Sequence, residues 1–418
     1  MMKKKDVEAV CRKAKEASRA LAIIDEKAKN RILFSMSKAL IKNMAYIIRE
    51  NAKDVASARK KKLKSAFIDR LELDPSRIKA MAASLADIAR LKDPVGACIE
   101  KIVRPNGLLI KKVRVPIGVI LMIYESRPNV TSDCIGLCIK SGNASILRGG
   151  SESINSNIAI FKTLTRAASK KGLPTSAVTM IDNTDRAIMD TLLVQDSMID
   201  LVMPRGGESL IRYVNENSRI PVIKHYKGVC HVYVDKAADL KMAGAICFNA
   251  KVQRPGVCNA METMLVHRSV AKKFLPGMIR SFQDAGVEIR GDKGVKRIAK
   301  NVSNATEKDW YTEYLDLILS VRIVKNADEA IAHIMKYGSY HSDTIVTKDK
   351  SAAARFLKEV DSACVYVNAS TRFTDGCEFG KGAEIGISTD KIHARGPMGI
   401  EELTSYKYMV FGSGQIRK

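Results

Sequence analysis

The sequence predicts an α/β protein in which a helical layer precedes two successive units of alternating strands and helices built on parallel sheets. Three observations predict it. From Val7 to about Leu91 apolar residues recur every three or four positions, as in Ile32, Leu33, Met36 and Leu40, and no proline occurs before Pro75. From Val113 onward short apolar runs alternate with helical segments across Gly-rich loops. The alternation restarts near Cys230, and βα units with short loops require parallel strands covered by helices, a doubly wound arrangement.

In the first unit the expected order is strand Ile117–Ile123, helix Asp133–Lys140, strand Ala144–Arg148, helix Ser153–Lys170 and strand Ala177–Ile181. Helix Asp185–Leu193, strand Ile199–Met203 and helix Glu208–Asn217 complete it. Each strand is a short apolar run bounded by turn residues. The second unit opens with strand His231–Val234 and helix Ala237–Asn249, then a turn carrying Cys258, strand Glu262–His267 and helix Val270–Asp284. Strand Val321–Val324, helix Asp328–Tyr337, strand Thr344–Thr347, helix Lys350–Val360 and strand Ala363–Asn368 follow. A Gly-rich tail, Thr374–Gly399, leads to a closing segment, Glu402–Phe411.

Composition narrows the class. With 418 residues, 46% of them hydrophobic, the chain buries a large core over two or three domains, and no disordered class fits. The longest apolar run, Val115–Tyr124, is about half of what a membrane span needs and contains Pro116 and Gly118, so no membrane partner is expected. The basic start, Met1–Asp6, is followed by Glu8 and Glu16 without an apolar signal region, and the expected location is the cytoplasm. Nine cysteines without a CxxC pair read as reduced thiols, Cys134 and Cys138 as core. A net charge of +25 suits an anionic partner such as a phosphorylated metabolite. The densest run, Arg59–Lys64, has no interleaved aromatics and reads as a solvated helix face rather than specific nucleic-acid recognition.

Chemistry concentrates on the stretch Lys251-Val-Gln-Arg-Pro-Gly-Val-Cys258, which presents a cysteine on a turn between two apolar segments. The thiolate is the nucleophilic form and nearby cations favour it, so Lys251 and Arg254 mark Cys258 as a candidate nucleophile. The competing reading is an inert core thiol. Two loops, Leu147-Arg-Gly-Gly-Ser-Glu-Ser153 and Met203-Pro-Arg-Gly-Gly-Glu208, each follow a strand and open a helix, where free N–H groups and the helix dipole favour phosphate. Neither is G-x-G-x-x-G, and glycine also serves simply to turn a chain. His333 and His341 read as residues that satisfy backbone groups rather than move protons. No His, Cys and carboxylate group has metal-ligand spacing, so no metal is expected.

A nucleotide-type βα domain followed by an α/β domain with this cysteine turn resembles the aldehyde dehydrogenase superfamily. Within it, Val324-Lys-Asn-Ala-Asp-Glu-Ala-Ile-Ala-His-Ile-Met-Lys-Tyr-Gly-Ser-Tyr-His-Ser-Asp-Thr-Ile345 resembles the signature of the glutamate-5-semialdehyde dehydrogenase family. Tyr124–Thr131, Ser141–Gly150 and Val257–Thr263 resemble it too, and the likeness runs along essentially the whole chain. It implies an aldehyde-dehydrogenase-like fold: N-terminal helices and an NADP-binding domain over 1–228, a catalytic domain over 229–368, and a Gly-rich tail with a C-terminal oligomerisation segment over 369–418. Residues 104–116 would complete an oligomerisation arm that covers a sheet edge.

Carried over by position, the resemblance makes Cys258 the nucleophile and Asn129 the amide of an oxyanion hole, where the competing reading of Asn129 is a turn residue after Pro128. Cofactor contacts fall on Arg148, Gly149, Ser151, Arg205, Gly206 and Gly207, and Glu313 matches the position that holds the nicotinamide ribose. Where aldehyde oxidisers carry a glutamate base, this chain reads Lys224-His-Tyr-Lys-Gly228, and no Glu occurs between Asn217 and Met261. Water attack on a thioester is then slow, which suits an acyl partner that is phosphate. Ser151 stands where NAD-preferring relatives place a carboxylate, so NADPH/NADP is the expected cofactor. Arg127, Lys251 and Arg254 are the candidates to hold the leaving phosphate.

The implied reaction is NADPH-dependent reduction of L-glutamyl 5-phosphate to L-glutamate 5-semialdehyde through a Cys258 thioacyl enzyme, the second step of proline synthesis. The implied partners are further copies of the chain and a separate glutamate kinase that supplies the substrate. Two alternatives stay open at this point: another cysteine-dependent aldehyde or acyl dehydrogenase, and a non-catalytic polyanion-binding protein on the same fold.

Overall fold

The computed structural model describes residues 4–63, 65–125 and 127–417, so Lys64 of the basic run and Ser126 of the Tyr124–Thr131 segment lie outside the described residues. The chain forms two compact units, one of Met1–Lys224, Gly380–Gly386 and Met398–Lys418, the other of His225–Phe379 and Ile387–Pro397. His225–Gly228, expected with the first domain, belongs to the second unit. The 369–418 segment, expected to stand apart, is divided between the two.

The first unit opens with helices α1 (Lys4–Leu21), α2 (Glu26–Lys42), α3 (Met44–Lys60), α4 (Ser65–Leu71) and α5 (Pro75–Arg90). The spacing Val7, Cys11, Ala14 places three buried residues on one face of α1, within the core of the sheet that follows. Asp25 caps α2 by accepting from Ala28 N, and Asp74 with Pro75 starts α5 by accepting from Arg77 N. Strands β1 (Cys98–Val103) and β2 (Leu109–Pro116) pair antiparallel.

The sheet itself contains β3 (Val119–Tyr124), β4 (Ala144–Gly149), β5 (Val178–Met180) and β6 (Leu201–Arg205), linked through α6 (Asn129–Lys140), α7 (Ile154–Ser169) and α8 (Arg186–Leu193), with α9 (Glu208–Asn217) after β6. Its order is β5-β4-β3-β6, all parallel, and β3 is buried at every position. The strand expected from Ile117 starts at Val119 because Gly118 has φ +134° and the Asp200 carboxylate occupies the space of its absent Cβ, accepting from Val119 N at 2.8 Å. A basic cleft of about 620 Å³ is lined by Lys38, Lys42, Lys162, Arg166 and Lys170 with Tyr46, and no carboxylate lines it among the described residues.

The second unit carries β7 (Cys230–Val234), α10 (Leu240–Val252), β8 (Met261–His267), α11 (Arg268–Asp284), β9 (Glu288–Gly291), α12 (Lys293–Ile298), β10 (Ser303–Asn304), α13 (Glu307–Trp310), β11 (Ile318–Val324), α14 (Ala327–Tyr337), β12 (Ser342–Val346), α15 (Lys350–Glu359) and β13 (Cys364–Val367). Seven parallel strands run β10-β9-β11-β8-β7-β12-β13. A fully buried β8 explains why its sequence reads as a continuous apolar run rather than an alternating one. The elements from β9 to α13 are absent from the sequence expectation because strands of four and two residues and helices of six and four carry too few residues to show a period. Helix α10 begins at Leu240 rather than Ala237 because Asp239 caps it, accepting from Lys241 N and Met242 N.

A two-residue pair, β14 (Ile387–Ser388) and β15 (Gly396–Pro397), closes this unit. Back in the first unit, β16 (Thr404–Phe411) pairs antiparallel with β2 from Thr404 opposite Pro116 to Phe411 opposite Leu109, so the two segments expected to meet do so. Among the described residues no helix is long and apolar enough to cross a membrane.

Candidate active site

Cys258 lies half-buried in the turn between α10 and β8. Its backbone is packed against Gly228: a Cβ on Gly228 would sit 1.8 Å from the Cys258 carbonyl oxygen, so glycine is the residue that permits the approach. The Gly228 N–H donates to Glu313 Oε1 at 2.9 Å, and the Cys230 thiol donates to the Cys258 carbonyl at 3.2 Å. Glu313, assigned by resemblance to a nicotinamide ribose, thus anchors the segment that backs the nucleophile. Lys227 Nζ donates to the Tyr311 carbonyl at 3.0 Å, a second tie of this segment to the second unit.

Two imidazoles flank the thiol. The ligand atoms of His225, Cys258 and His341 all lie within 4.8 Å of one another, and the two rings meet edge to face with centroids 5.6 Å apart. His341 Nδ1 contacts Ser342 Oγ at 2.9 Å, Ser342 contacts Thr374 Oγ1 at 2.6 Å, and Tyr366 OH contacts the same hydroxyl at 2.7 Å. His341, expected to satisfy backbone groups, is therefore oriented by a side-chain relay. His333 packs between Trp310 and Tyr337 and lies 3.0 Å from Arg322, and burial pushes its pKa far down. His225 was visible in the sequence only as part of the segment that replaces a glutamate.

The three phosphate candidates fare differently. Lys251 is fully buried and its ammonium is held by Glu262 at 2.6 Å, which removes it from the candidates: a cation paired out of reach of solvent presents nothing to a phosphate. Burial lowers the Lys251 pKa and raises that of Glu262 to about 7, so desolvation outweighs the mutual attraction at both ends of the pair. Leu315 N steadies the same carboxylate at 3.1 Å. Arg254 is exposed on the Cys258 turn. It acts electrostatically on Arg372, whose pKa is lowered first by burial and then by Arg254, against the attraction of Asp375. Arg372 carries no sequence signal, because its place near the turn depends on side-chain contacts to Asn259 and Gln253 from a distant 3₁₀ turn, Thr371–Phe373.

The remaining candidates lie in the first unit. Arg127, half-buried, lies one residue before the Pro128 cap of α6, and its carbonyl accepts from Val130 N at 3.0 Å. Asn129 is the exposed first residue of α6, its amide donating to Asp133 Oδ2 at 3.2 Å. Burial raises the Asp133 carboxyl to about 6, against hydrogen bonds from Ser84 and Asn129. Arg148, nearly buried, donates to the carbonyls of Thr184 and Asp185 at 2.9 and 3.2 Å, while its Nε is buried without a partner among the described residues. Ser151 is exposed in a 3₁₀ turn at the same strand end. The Arg148 guanidinium is thus turned inward onto two carbonyls, and Ser151 supplies the exposed hydroxyl of this strand end.

The second loop is different. Gly207 N donates to Glu125 Oε2 at 2.9 Å, and a Cβ on Gly206 would meet that carboxylate at 2.5 Å. The anion position at the start of α9 is thus filled by the protein's own carboxylate, which a phosphate would have to displace. Gly149 answers to packing, since a Cβ there would lie 2.2 Å from Asn157 Nδ2, and the Arg205 guanidinium lies against Gly386.

The sequence pattern of the aldehyde dehydrogenase family matches residues 1–297. The chain belongs to this family. A gamma-glutamyl phosphate reductase of Caldanaerobacter subterraneus subsp. tengcongensis is 59% identical over 413 residues, covering 99% of this chain and 100% of that protein. One from Thermoanaerobacter sp. is 57% identical over the same shares. The crystal structure of a gamma-glutamyl phosphate reductase from Thermotoga maritima superposes with a TM-score of 0.96 at 46% identity, covering 99% of this chain and all of that one. An acetylating aldehyde dehydrogenase from Geobacillus thermoglucosidasius, 16% identical with a TM-score of 0.72, shares the fold. Within the family the chain falls among the gamma-glutamyl phosphate reductases, and as an aldehyde dehydrogenase it takes a nicotinamide cofactor.

Proposed function

We propose that the chain catalyses NADPH-dependent reduction of L-glutamyl 5-phosphate to L-glutamate 5-semialdehyde with release of phosphate, the second step of proline synthesis. The observation that carries it is Cys258, set on a half-buried turn among imidazoles and guanidiniums in a chain 59% identical to a gamma-glutamyl phosphate reductase. Cys258 Sγ attacks the acyl carbon, the carbon–oxygen bond to phosphate breaks, and the thiol proton leaves with the phosphate. Arg254 and Arg372 hold that phosphate, since a dianion relieves the repulsion between two neighbouring guanidiniums. Asn129, its amide already oriented by Asp133, is the assigned donor to the oxyanion.

When bound, the nicotinamide supplies the hydride that takes the thioacyl carbon to the aldehyde level. Cys258 then departs as thiolate, releasing the semialdehyde. Ser151, an exposed hydroxyl where a carboxylate would repel a 2′-phosphate, supports preference for NADPH. No glutamate between Asn217 and Met261 stands ready to activate water, Asp239 in that stretch being a helix cap, so phosphate is the acyl acceptor in reverse. The antiparallel β1-β2-β16 sheet is read as the arm of a homo-oligomer, and a separate kinase must supply the acyl phosphate. Nine free cysteines suit a reducing, cytoplasmic setting.

The test is NADPH formation from glutamate semialdehyde and NADP with and without inorganic phosphate. Phosphate-dependent formation, more efficient with NADP than NAD, is expected. Phosphate-independent formation overturns the acyl-phosphate chemistry, and equal efficiency with NAD overturns the cofactor assignment.

A further inference from the structure

The His225, Cys258 and His341 side chains come from three separated places in the sequence and converge within the second unit, with every pair of ligand atoms within 4.8 Å. One thiolate and two imidazoles match the donors that bind Zn²⁺ in sites of three protein ligands and one open position. At usual Zn–S and Zn–N lengths, tetrahedral donors stand about 3.3–3.6 Å apart, so small side-chain rotations bring these three into range. His341 already has the outer contact such a ligand needs: Ser342 Oγ meets Nδ1 at 2.9 Å and is itself tied to Thr374, whose hydroxyl Tyr366 OH contacts in turn. Cys258 and His225 are only half-buried, which gives a cation a way in and leaves the fourth position to water.

We infer that this trio binds a borderline-soft divalent cation, Zn²⁺ above all, and that the bound cation masks the Cys258 nucleophile reversibly. Binding converts the thiol to a metal thiolate, with its proton released to solvent, and neither metal nor sulfur changes oxidation state. The masking rests on the reading of Cys258 as the nucleophile; the site itself does not. Hard cations such as Mg²⁺ are discriminated against by the sulfur and nitrogen donors. Cys258 in the metal-bound form is withdrawn from acylation, alkylation and oxidation together.

The experiment titrates the full-length, reduced protein with Co²⁺ as a spectroscopic stand-in for Zn²⁺. One equivalent should produce a thiolate-to-cobalt charge-transfer band and tetrahedral d–d bands, both abolished by Zn²⁺. Cys258→Ser should remove the charge-transfer band, and His225→Ala and His341→Ala should each weaken binding by at least about tenfold. His225 is half-exposed, so His225→Ala serves if the buried His341 variant fails to fold, with far-ultraviolet circular dichroism as the control. A wild-type protein without these bands, or bands that persist in Cys258→Ser, overturns the site. Zn²⁺ should also halt turnover, with recovery on chelation. Cobalt bands without inhibition would keep the site but sink the nucleophile reading, whereas Cys258-dependent turnover without cobalt bands would sink the site alone.

Discussion

Buried charge defines the residue scale. Lys251 and Glu262 are both fully buried and meet at 2.6 Å, so removing one leaves the other desolvated and unpaired. Lys251→Met is expected to cost about 3–5 kcal/mol, and Lys251→Met with Glu262→Leu to recover most of it, as denaturant unfolding of the two variants would measure. The single-variant cost should shrink in mild acid, where the Glu262 carboxyl takes up a proton. Asp133 gives a separate pH signature. Its carboxyl ionises near 3.8 in the unfolded chain and at about 6 in the fold, so between those values the folded state holds the extra proton. Stability should therefore fall as pH rises through that window, by up to about 3 kcal/mol, and level off above it. Asp133→Asn should flatten that slope in unfolding curves taken from pH 4 to 7. Loss of the neighbouring amide in Asn129→Ala is expected to lower kcat by about 10²–10³ without a matching loss of stability, and an unchanged kcat would remove Asn129 from the oxyanion role.

Between elements, the decisive contact is backbone on backbone. Gly228, just before β7, presses on the Cys258 turn with no room for a methyl group. Gly228→Ala should destabilise the protein by about 1–3 kcal/mol and cut turnover about a hundredfold through displacement of the nucleophile. Gly207→Ala, whose Cβ would meet nothing closer than 3.9 Å, is the matched control and should leave thermal unfolding nearly unchanged. The βα order of both units was legible in the sequence: helix α9 runs over Glu208–Asn217 as expected, and most strands agree to within a residue or two. The elements between β9 and α13 were not, because their short stretches repeat nothing that a period could reveal.

At the scale of the molecule, the arm and the charge remain to be accounted for. Along β16, Tyr406, Tyr408 and Val410 recur every second residue and are about half exposed, at 49, 56 and 57%. Lys112 stacks over the Tyr406 ring at 3.9 Å, so this strand is aromatic and partly solvated within a single copy. If the arm joins copies, Tyr408→Glu with Val410→Glu should lower the mass found by light scattering, and an unchanged mass would exclude this strand from the interface. Part of the +25 charge is gathered at the cleft of Lys38 and Lys42 on α2, Lys162 and Arg166 on α7 and Lys170 just past its end, away from the Arg59–Lys64 run that stands out in the sequence.

What the sequence determined by itself is local or periodic: the alternation of strands and helices, the turn that presents Cys258, the glycines at strand ends and the missing glutamate. These follow from spacing and backbone preference within a few residues. The tertiary structure decided which side chains meet. It spent Lys251 on Glu262, set Glu125 over the start of α9, and brought Arg372 toward a turn that holds Arg254. It also gathered His225, Cys258 and His341 around one point. Such pairings depend on where distant strands end in space, and the desolvation that shifts Glu262 and Asp133 exists only once the chain has closed over them.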